Sequence, residues 1–503
     1  MSAVLSSPSI RRWSIPLWVL PVQAAAAFTI AAIAIGGQTL RAWFLAALTW
    51  VMALPLLVSI EAGLVAMMLF EPLRGIIRRG QYIFIEYTSQ DPIHVLTPIV
   101  TILALVSLLR THRLTILRAS PLAGAVSVLA LIYLVEIINP LQGTIVVGLS
   151  GAMFSLIPLV WFYFGQYVKT EFIGAVLRLM IVLGLLTSLY GVYQLVFGYP
   201  SFEQYWISNT EFYDSIAVGH VERALATFCS AEEWGRYTEL GAIAAFGFAA
   251  GEKRFGRRFV WSLAGLILIG FVSLTGQRAA VFGLVLGLVV LFALGARNWR
   301  AAIARVALVA LPFVLVSTLA KAPDAEEMWS NDETQTVSTV LEHTQRGVLK
   351  PAGEESFQER MKNWTYLLTQ VIPFRPLGAG IGAGSLSEWR FGGNSDDLPP
   401  IDSSILQHGI TCGILGMFLF VWTLGRSTYL SFQRTSRSRS DEPKYTINRI
   451  VTAIMCALVL NSVFGLTFTL YSIAPLAWLF MGWISMESLK AIKHQDEREV
   501  ITI

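Results

Sequence analysis

The residues best suited to chemistry in this sequence are three arginines, Arg223, Arg278 and Arg360, together with the aspartate Asp402. Arg278 stands in Leu-Thr-Gly-Gln-Arg-Ala-Ala between two strongly apolar runs, where an arginine is costly unless it is paired, and is commonly functional. A guanidinium keeps its charge at any relevant pH and binds phosphate oxygens bidentately. Three arginines at one membrane face would therefore suit a pyrophosphate.

Each arginine also has a structural interpretation. Arg223, Arg236 and Arg360 have acids nearby in the sequence, and any of them could pair with such an acid or with lipid headgroups; these acids are Glu222, Glu232 and Glu359. A glycine string after Pro373 adds a second candidate anion site, formed by Gly378, Gly380, Gly382 and Gly384. Glycine permits torsions closed to other residues, and exposed N–H groups in such a segment can bind an anion. Flexible connectors have the same composition.

The composition places the elements that carry these residues in a membrane. Of 503 residues, 55% are hydrophobic and 14% are charged, with a mean hydropathy of +0.61, whereas soluble chains carry roughly 25% charged residues. A spanning helix needs about 20 mostly apolar residues. The sequence therefore predicts an all-α, polytopic transmembrane helix bundle of about 12 to 14 spans. We place spans near 14–36, 42–70, 93–109, 120–138, 143–165, 172–196, 237–251, 258–275, 279–296, 301–320, 404–424, 448–467 and 469–487.

The net charge of +4 is too small to indicate a nucleic-acid partner. The positions of the basic residues say more, because Lys and Arg in short loops favour the cytoplasm. They predict that the segment 198–236, the turn near Arg278 and the loop 321–403 lie on the extracytoplasmic side. Arg74, Arg78 and Arg79 do not obey this scheme. A missed span or re-entrant piece within 42–70, which contains Pro55 and Glu61, would explain the discrepancy.

This topology predicts four regions: N-terminal spans over 1–320, a large extracytoplasmic loop over 321–403, C-terminal spans over 404–490 and a cytoplasmic tail over 491–503. Within the loop, the spacing of apolar residues over 356–372 predicts an amphipathic helix, with Ser356 as N-cap and Glu359 completing a capping box. Such a helix would roof a cavity, lie on the membrane surface, or simply pack on the span ends. The cysteines Cys229, Cys412 and Cys456 show no metal spacing and indicate no disulfide framework.

Several motifs, in order, resemble the O-antigen ligase and polymerase superfamily, which includes the Wzy-type polymerases. The motifs are Arg-x-x-x-Thr-Phe (223–228), Leu-Thr-Gly-Gln-Arg-Ala-Ala (274–280), Glu-Arg-x-x-x-Trp (359–364), Pro-Phe-Arg-Pro-Leu-Gly-Ala-Gly-Ile-Gly (373–382) and Asp-Ser-Ser-Ile-Leu followed by Cys-Gly-Ile-Leu-Gly (402–416). Each motif is loose, so their order and the large loop between spans carry most of the resemblance.

The resemblance implies a glycosyltransferase acting on undecaprenyl-pyrophosphate-linked glycans at the periplasmic face of the bacterial inner membrane. It implies no metal, cofactor or nucleotide sugar. The lipid bilayer is an expected partner, as are a chain-length regulator and a flippase of the same pathway. In the ligases a His-Asn pair opens the span after the large loop, and the matching positions here are Asp402 and Ser403. The absent histidine favours a polymerase of O-antigen or exopolysaccharide over a ligase.

This reaction suggests a role for each candidate. Arg278 and Arg223 would stabilise the departing pyrophosphate, and Asp402 would deprotonate the attacking hydroxyl, with inversion at the anomeric carbon. The expected pyrophosphate- or glycan-binding residues are Arg360, Arg236, Gly378, Gly380, Gly382 and Trp364. Asp402 could also be a helix N-cap, and Glu359, Glu388 and Asp396 are alternative bases. Trp329, Trp389, Tyr205 and Trp206 could stack on sugars, although aromatic residues also crowd membrane interfaces.

Three other functions remain open from the sequence. A ligase would transfer finished glycan to lipid A-core or to a protein. A transporter would be expected to place charged residues near mid-membrane, where this sequence offers few, among them Glu61 and Glu136. A non-catalytic assembly subunit is the third possibility.

Overall fold

The chain folds as a bundle of α-helices. The computed structural model describes residues 39–89, 91–210, 217–218, 221–296, 298, 300–304, 307, 355–393, 398–438 and 443–501. The helices of these residues are α1 (Thr39–Ala53), α2 (Ile60–Phe70), α3 (Arg74–Gly80), α4 (Leu96–His112), α5 (Ala123–Glu136), α6 (Ile145–Gly165), α7 (Thr170–Phe197), α8 (Ser201–Asn209), α9 (Ala231–Gly251), α10 (Phe255–Leu274), α11 (Arg278–Leu294), α12 (Glu355–Tyr366), α13 (Leu386–Phe391), α14 (Ser404–Arg437), α15 (Pro443–Val463) and α16 (Ala474–Ile501). Two short strands, β1 (Ala217–Val218) and β2 (Val221–Glu222), pair antiparallel.

Many of these helices can cross a membrane. Seven helical segments among the described residues are long and apolar enough to span a bilayer, and the shorter helices α5 and α11 are also apolar. The predicted all-α, multi-span fold class is therefore confirmed. The predicted spans 143–165 and 172–196 correspond closely to α6 and α7. The total of about 12 to 14 spans stays a prediction, because 14–36 and most of 301–320 lie outside the described residues.

Helix α9 is the centre of one half of the bundle, where it packs among α7, α10, α11 and α15. Almost all of its residues are buried. Glycines allow this close packing, since a Cβ on Gly247 would lie 2.1 Å from Ile450 and one on Gly287 would lie 2.3 Å from Ile243. Small residues let helices approach closely enough for dispersion contacts to hold them together in a membrane. The first turns of α9, which carry several ionisable residues, therefore rest on a closely packed support.

The long apolar run 42–70 is interrupted, as its length and Pro55 indicated. Helix α1 is followed by a 3₁₀ turn that contains Pro55. Helix α2 then begins after Ser59, whose hydroxyl accepts a hydrogen bond from the Ala62 N–H at 3.0 Å. Proline supplies no N–H and serine is a favoured N-cap, so the sequence itself determines where the run breaks.

Helix α3 explains the basic residues that conflicted with the predicted sidedness. Its three arginines are buried and ion-paired: Arg74 with Glu71 and Glu233, Arg78 with Asp91, and Arg79 with Glu203. Through Glu203 and Glu233, α3 is joined to the segment 198–236. It therefore lies at the end of the bundle that carries residues 198–236 and 355–403, here called the loop end. These arginines hold tertiary contacts, so they do not report the cytoplasmic side.

Helix α14 turns sharply at Gly413, so that residues 404–412 and 414–437 form two arms. Gly413 has a φ of +69°, which strongly favours glycine. The arms fold back along each other: the ring of His408 stacks on Phe420 with 3.8 Å between centroids, whereas residues twelve apart in one straight helix are about 18 Å apart. The prediction of a single span over 404–424 is therefore wrong. Hydropathy does not detect a reversal made by one glycine torsion.

The amphipathic helix predicted over 356–372 is present as α12, followed by a π-helical turn at Leu367–Val371. The apolar residues of the π-helical turn and Ile372 pack on the first arm of α14, in a buried cluster of Leu367, Val371, Ile372, Ile401, Leu406 and Ile410, and Trp364 of α12 packs against this cluster. The interpretation as packing against the span ends therefore holds. Ser356 lies inside the helix, so the predicted capping box with Glu359 is wrong.

Replacing the corner glycine should destabilise the protein. In Gly413→Ala the new Cβ would lie 2.1 Å from the Pro376 carbonyl oxygen and the residue would keep its left-handed torsion, so we expect a loss on the order of 2 kcal/mol. Gly425→Ala is the matched control on the same helix, because nothing lies within 4 Å of its Cβ. Thermal unfolding in detergent measures both. Equal thermal-unfolding midpoints for the two variants would contradict the sharp turn at Gly413.

Candidate functional site

Asp402 is held by two residues of α12. Its Oδ2 accepts a hydrogen bond from the Arg360 guanidinium, and its Oδ1 accepts one from the Trp364 indole N–H at 2.8 Å. The side chains of Arg360 and Asp402 are 32% and 34% exposed, so the pair faces an accessible space. Three residues predicted for the site from two separate motifs, 359–364 and 402–416, are thus in direct contact.

The backbone after Asp402 is anchored to the segment that follows α15. Ser403 is the N-cap of α14, with its hydroxyl accepting from the Leu406 N–H. Ser404 donates from its N–H and its hydroxyl to the Gly465 carbonyl oxygen, at 3.0 and 2.9 Å. The interpretation of Asp402 as N-cap is therefore wrong, because Ser403 fills that position. The Asp402 carboxylate remains available to α12 and to a ligand.

Arg236 lies behind this segment and is almost fully buried, with 2% exposure. It pairs with Glu232 at 2.8 Å. It also donates to the Thr467 hydroxyl at 2.8 Å and to the Asn461 carbonyl oxygen at 3.2 Å. This guanidinium is occupied by protein groups. Arg236 therefore fixes residues 461–467 to α9, and the prediction that it binds substrate directly is not supported.

Arg223 and Arg278 come together from different parts of the chain. Burial and the neighbouring charge of Arg278 lower the pKa of Arg223, and the Arg223 Nε is buried without a hydrogen-bond partner. Arg278 is the first residue of α11, after the turn at Gly276 with φ of +69°. Helix N-termini and paired guanidinium groups both attract anions. Two like charges in one partly buried place are the arrangement expected of an anion site.

The arginine pair (Arg223 and Arg278) and the Asp402 group (Asp402, Arg360 and Trp364) flank the first turns of α9. A Cβ on Gly235 would lie 2.9 Å from the Thr275 hydroxyl, next to the turn that carries Arg278. One residue on, Arg236 contacts the segment that anchors Ser404. The arginine pair and the Asp402 group therefore border the same helix end, and α9 fixes their relative positions.

The glycine segment packs within the protein instead of facing a ligand. Every N–H group from Gly378 to Gly384 donates to a protein acceptor: to Arg375, Ile410, Thr411, Glu136 and Gly380 through their carbonyls, and to the side chains of Gln142 and Glu388. A Cβ on Gly380 would lie 2.5 Å from Gln142, and one on Gly382 would lie 2.3 Å from the Val147 carbonyl oxygen. The expectation that these glycines bind an anion through the backbone is corrected accordingly.

The role of the glycine segment is to complete the corner of α14. The last turn of a helix leaves carbonyl groups without intrahelical partners, and the first turn leaves N–H groups. Here the Ala379 and Gly380 N–H groups bind the carbonyls of residues 410 and 411, while the Ile414 N–H binds the Pro376 carbonyl at 3.0 Å. Both helix ends exposed by the reversal are thus satisfied by one segment.

Several residues near the arginine pair were not selected from the sequence. Arg79, Gln194, Tyr199 and Glu203 form a buried network around residues 223–228. A signal was available for Arg79, because three arginines on the unexpected side of the membrane required a partner. Gln194, Tyr199 and Glu203 carry no such signal, since polar residues near span ends are ordinary.

The remaining candidates are scattered. Glu388 accepts the Gly384 N–H at 2.6 Å and Trp206 is buried, while Trp389 and Tyr205 are exposed. Trp329 and Asp396 lie outside the described residues. The three cysteines are unpaired thiols. Over the described ranges, no group of three His, Cys, Asp or Glu side chains could hold a metal ion.

Residues 263–421 match a protein-family model described as O-antigen ligase. The match covers roughly a third of the chain and contains Arg278, Arg360, Trp364 and Asp402, whereas Arg223 and Arg236 precede it. The resemblance inferred from the motifs is therefore confirmed. No curated protein matches the chain.

Removing the charge of Arg223 or of Arg236 should have opposite consequences for stability. Arg236→Gln leaves Glu232 and buried carbonyls without a cation, and we expect a loss on the order of 2 kcal/mol. In Arg223→Gln a charge disfavoured by burial and by Arg278 disappears, so the midpoint of thermal unfolding should stay the same or rise. A lower midpoint for Arg223→Gln would show that this arginine has a structural role.

Proposed function

We propose that this chain, whose residues 263–421 belong to the O-antigen ligase and polymerase superfamily, is a polymerase of lipid-linked oligosaccharide repeat units. The growing glycan on undecaprenyl pyrophosphate would be the donor, and a single lipid-linked repeat unit the acceptor. The observation that carries the proposal is the convergence of Arg223 and Arg278 at the end of α9 that the group of Asp402, Arg360 and Trp364 also borders.

Negative charge builds up on the pyrophosphate as its bond to the anomeric carbon breaks. Arg223 and Arg278 provide two fixed positive charges for this group, and the N-terminus of α11 adds its own partial charge. Preorganised charge at a leaving group is usually the largest contribution to catalysis. The repulsion between the two guanidinium groups would be relieved when the anion lies between them, so the site favours the transition state that carries more negative charge.

The acceptor hydroxyl must lose a proton as it attacks. A carboxylate offers about four lone-pair positions, and Arg360 and Trp364 occupy one on each oxygen of Asp402. The remaining positions could accept the hydroxyl proton, and the two donors fix the orientation of the carboxylate. Direct attack from this side would invert the anomeric carbon.

The polymerase assignment, rather than a ligase, rests on the start of α14. The ligase histidine is absent from that position, and Ser403 caps the helix there. His408, the next histidine along the arm, is buried between the Tyr133 hydroxyl and the Ser404 carbonyl and stacks on Phe420. These contacts leave His408 no path to a substrate, so it does not replace the missing residue.

A transporter is the alternative from another class. One buried acid of α9, Glu239, was not anticipated, and Asn461 donates to both of its oxygens at 3.0 and 2.9 Å. The acid is thereby engaged within the bundle. The arginines and the elaborated loop gather at the loop end, which supports chemistry at one face of the inner membrane, proposed to be the periplasmic face.

The lipids of a deletion strain should distinguish the two members of the superfamily. Loss of a polymerase leaves single repeat units on undecaprenyl pyrophosphate, whereas loss of a ligase leaves full-length chains on that lipid. We expect single repeat units, measured by mass spectrometry of extracted lipids, with the complemented strain as control. Stranded full-length chains would establish the ligase function instead.

Variants of the two chemical groups test the mechanism. Arg278→Ala should lower the polymerisation rate on the order of 10²- to 10³-fold, and Arg278→Lys should recover part of it, because lysine retains the charge but not the bidentate geometry. Asp402→Asn keeps a hydrogen-bond acceptor for Trp364 but removes the base. Polymer length in the complemented deletion strain is the measurement. Normal long chains from a well-expressed Arg278→Ala protein would exclude the pyrophosphate role.

A further inference from the structure

The segment that carries Arg223 contains a strained residue. Ala226 has a φ of +49°, in the left-handed region that residues other than glycine rarely adopt. Such a conformation persists only where the surroundings hold it, and it is common at functional sites. The contacts around Ala226 therefore show what fixes this segment.

Arg79 holds the segment from the side of α3. Its guanidinium donates to the carbonyl oxygen of Ala226 and, at 2.7 Å, to that of Phe228. Its Nε donates to Glu203 at 2.6 Å, which keeps the buried cation paired. The contact is close, because a Cβ on Gly75 of the same helix would lie 2.0 Å from the Phe228 carbonyl oxygen.

Gln194 and Tyr199 hold the segment from the opposite side. Gln194 accepts the Ala226 N–H at 2.7 Å and donates to the Ala226 carbonyl oxygen at 3.2 Å. The Tyr199 hydroxyl donates to the carbonyl oxygen of Arg223 itself and accepts the Leu225 N–H at 3.1 Å. Backbone groups at and around the strained residue are thus bonded to the side chains of Arg79 from α3, of Gln194 from α7 and of Tyr199, two residues after the end of α7.

We propose that Arg79, Gln194 and Tyr199 are positioning residues that fix Arg223 opposite Arg278. Like charges repel, so an arginine on an unrestrained loop would turn away from Arg278 in the absence of a ligand. With its backbone bonded at both sides, Arg223 keeps its place and the anion site is formed before substrate arrives. The inference rests on the pyrophosphate role proposed for the two arginines.

The mildest test removes one hydroxyl. Tyr199→Phe removes the donor to the Arg223 carbonyl and the acceptor of the Leu225 N–H. We expect inorganic pyrophosphate to bind the purified full-length protein about 3- to 10-fold more weakly, because Arg223 is then less firmly positioned. The matched control is Tyr445→Phe, which removes a tyrosine bond of 2.7 Å to the Leu294 carbonyl at the other end of α11. Titration calorimetry in detergent measures the affinity.

A double-mutant cycle shows whether the effect passes through Arg223. In an Arg223→Gln background, Tyr199→Phe should cause no further loss of pyrophosphate affinity. Equal affinities of wild type and Tyr199→Phe, or an undiminished loss in the Arg223→Gln background, would overturn the positioning role. If the wild type bound no pyrophosphate, the proposed function at these arginines would fail, and this inference with it.

A second variant tests the positioning of Arg223 independently of Tyr199. Arg79→Lys keeps a cation opposite Glu203 but lacks the fork that reaches both carbonyls. It should weaken pyrophosphate binding in the same direction, and again only when Arg223 is present. Unchanged affinity in a folded Arg79→Lys protein would overturn the part assigned to Arg79.

Discussion

A guanidinium buried in a membrane protein must meet a carboxylate, a set of carbonyls or a ligand, because leaving it unpaired there is costly. The loop end of this molecule is organised by that constraint. Arg74, Arg78 and Arg79 each contact a buried acid, and Arg236 contacts an acid and several backbone groups. Arg223 has the positive charge of Arg278 as an electrostatic neighbour. The structural arginines build the frame in which these two like charges are held, and the proposed anion site lies there.

The sequence predicted the features that depend on long-range averages of hydropathy. Apolar runs located α6 and α7 closely, and the spacing of apolar residues located α12. The sequence did not predict features that depend on the backbone torsion or cap of a single residue. A glycine within an apolar run is compatible with a continuous helix, so the reversal of α14 at Gly413 had no signal. Similarly, Ser356 and Glu359 fit a capping box, yet Ser356 already lies inside the helix Glu355–Tyr366.

For the site, the sequence identified individual residues better than their roles. Arg360 and Trp364 were selected from one motif and Asp402 from another, and both Arg360 and Trp364 contact Asp402. Arg236 was selected for its charge, but only the folded chain shows that carbonyls of residues 461 and 464 occupy it. The glycine segment is the clearest case of an ambiguous pattern: the same flexibility that lets a backbone approach a ligand lets it approach two helix ends. Which of these occurs depends on neighbours that are distant in the chain.

The arm 404–412 of α14 is held at both of its ends by the loop that precedes it. Residues 376–380 bind the C-terminal end of the arm 404–412. Asp402, just before the N-terminal end of that arm, binds α12, which precedes the glycine segment in the chain. A loop tied in this manner cannot swing as a lid without breaking the helix that follows it. For protein engineering, the described residues of this region, 355–393 and 398–414, thus form one structural unit. A transplant of this region into another protein should move the amphipathic helix, the glycine segment and the first arm together.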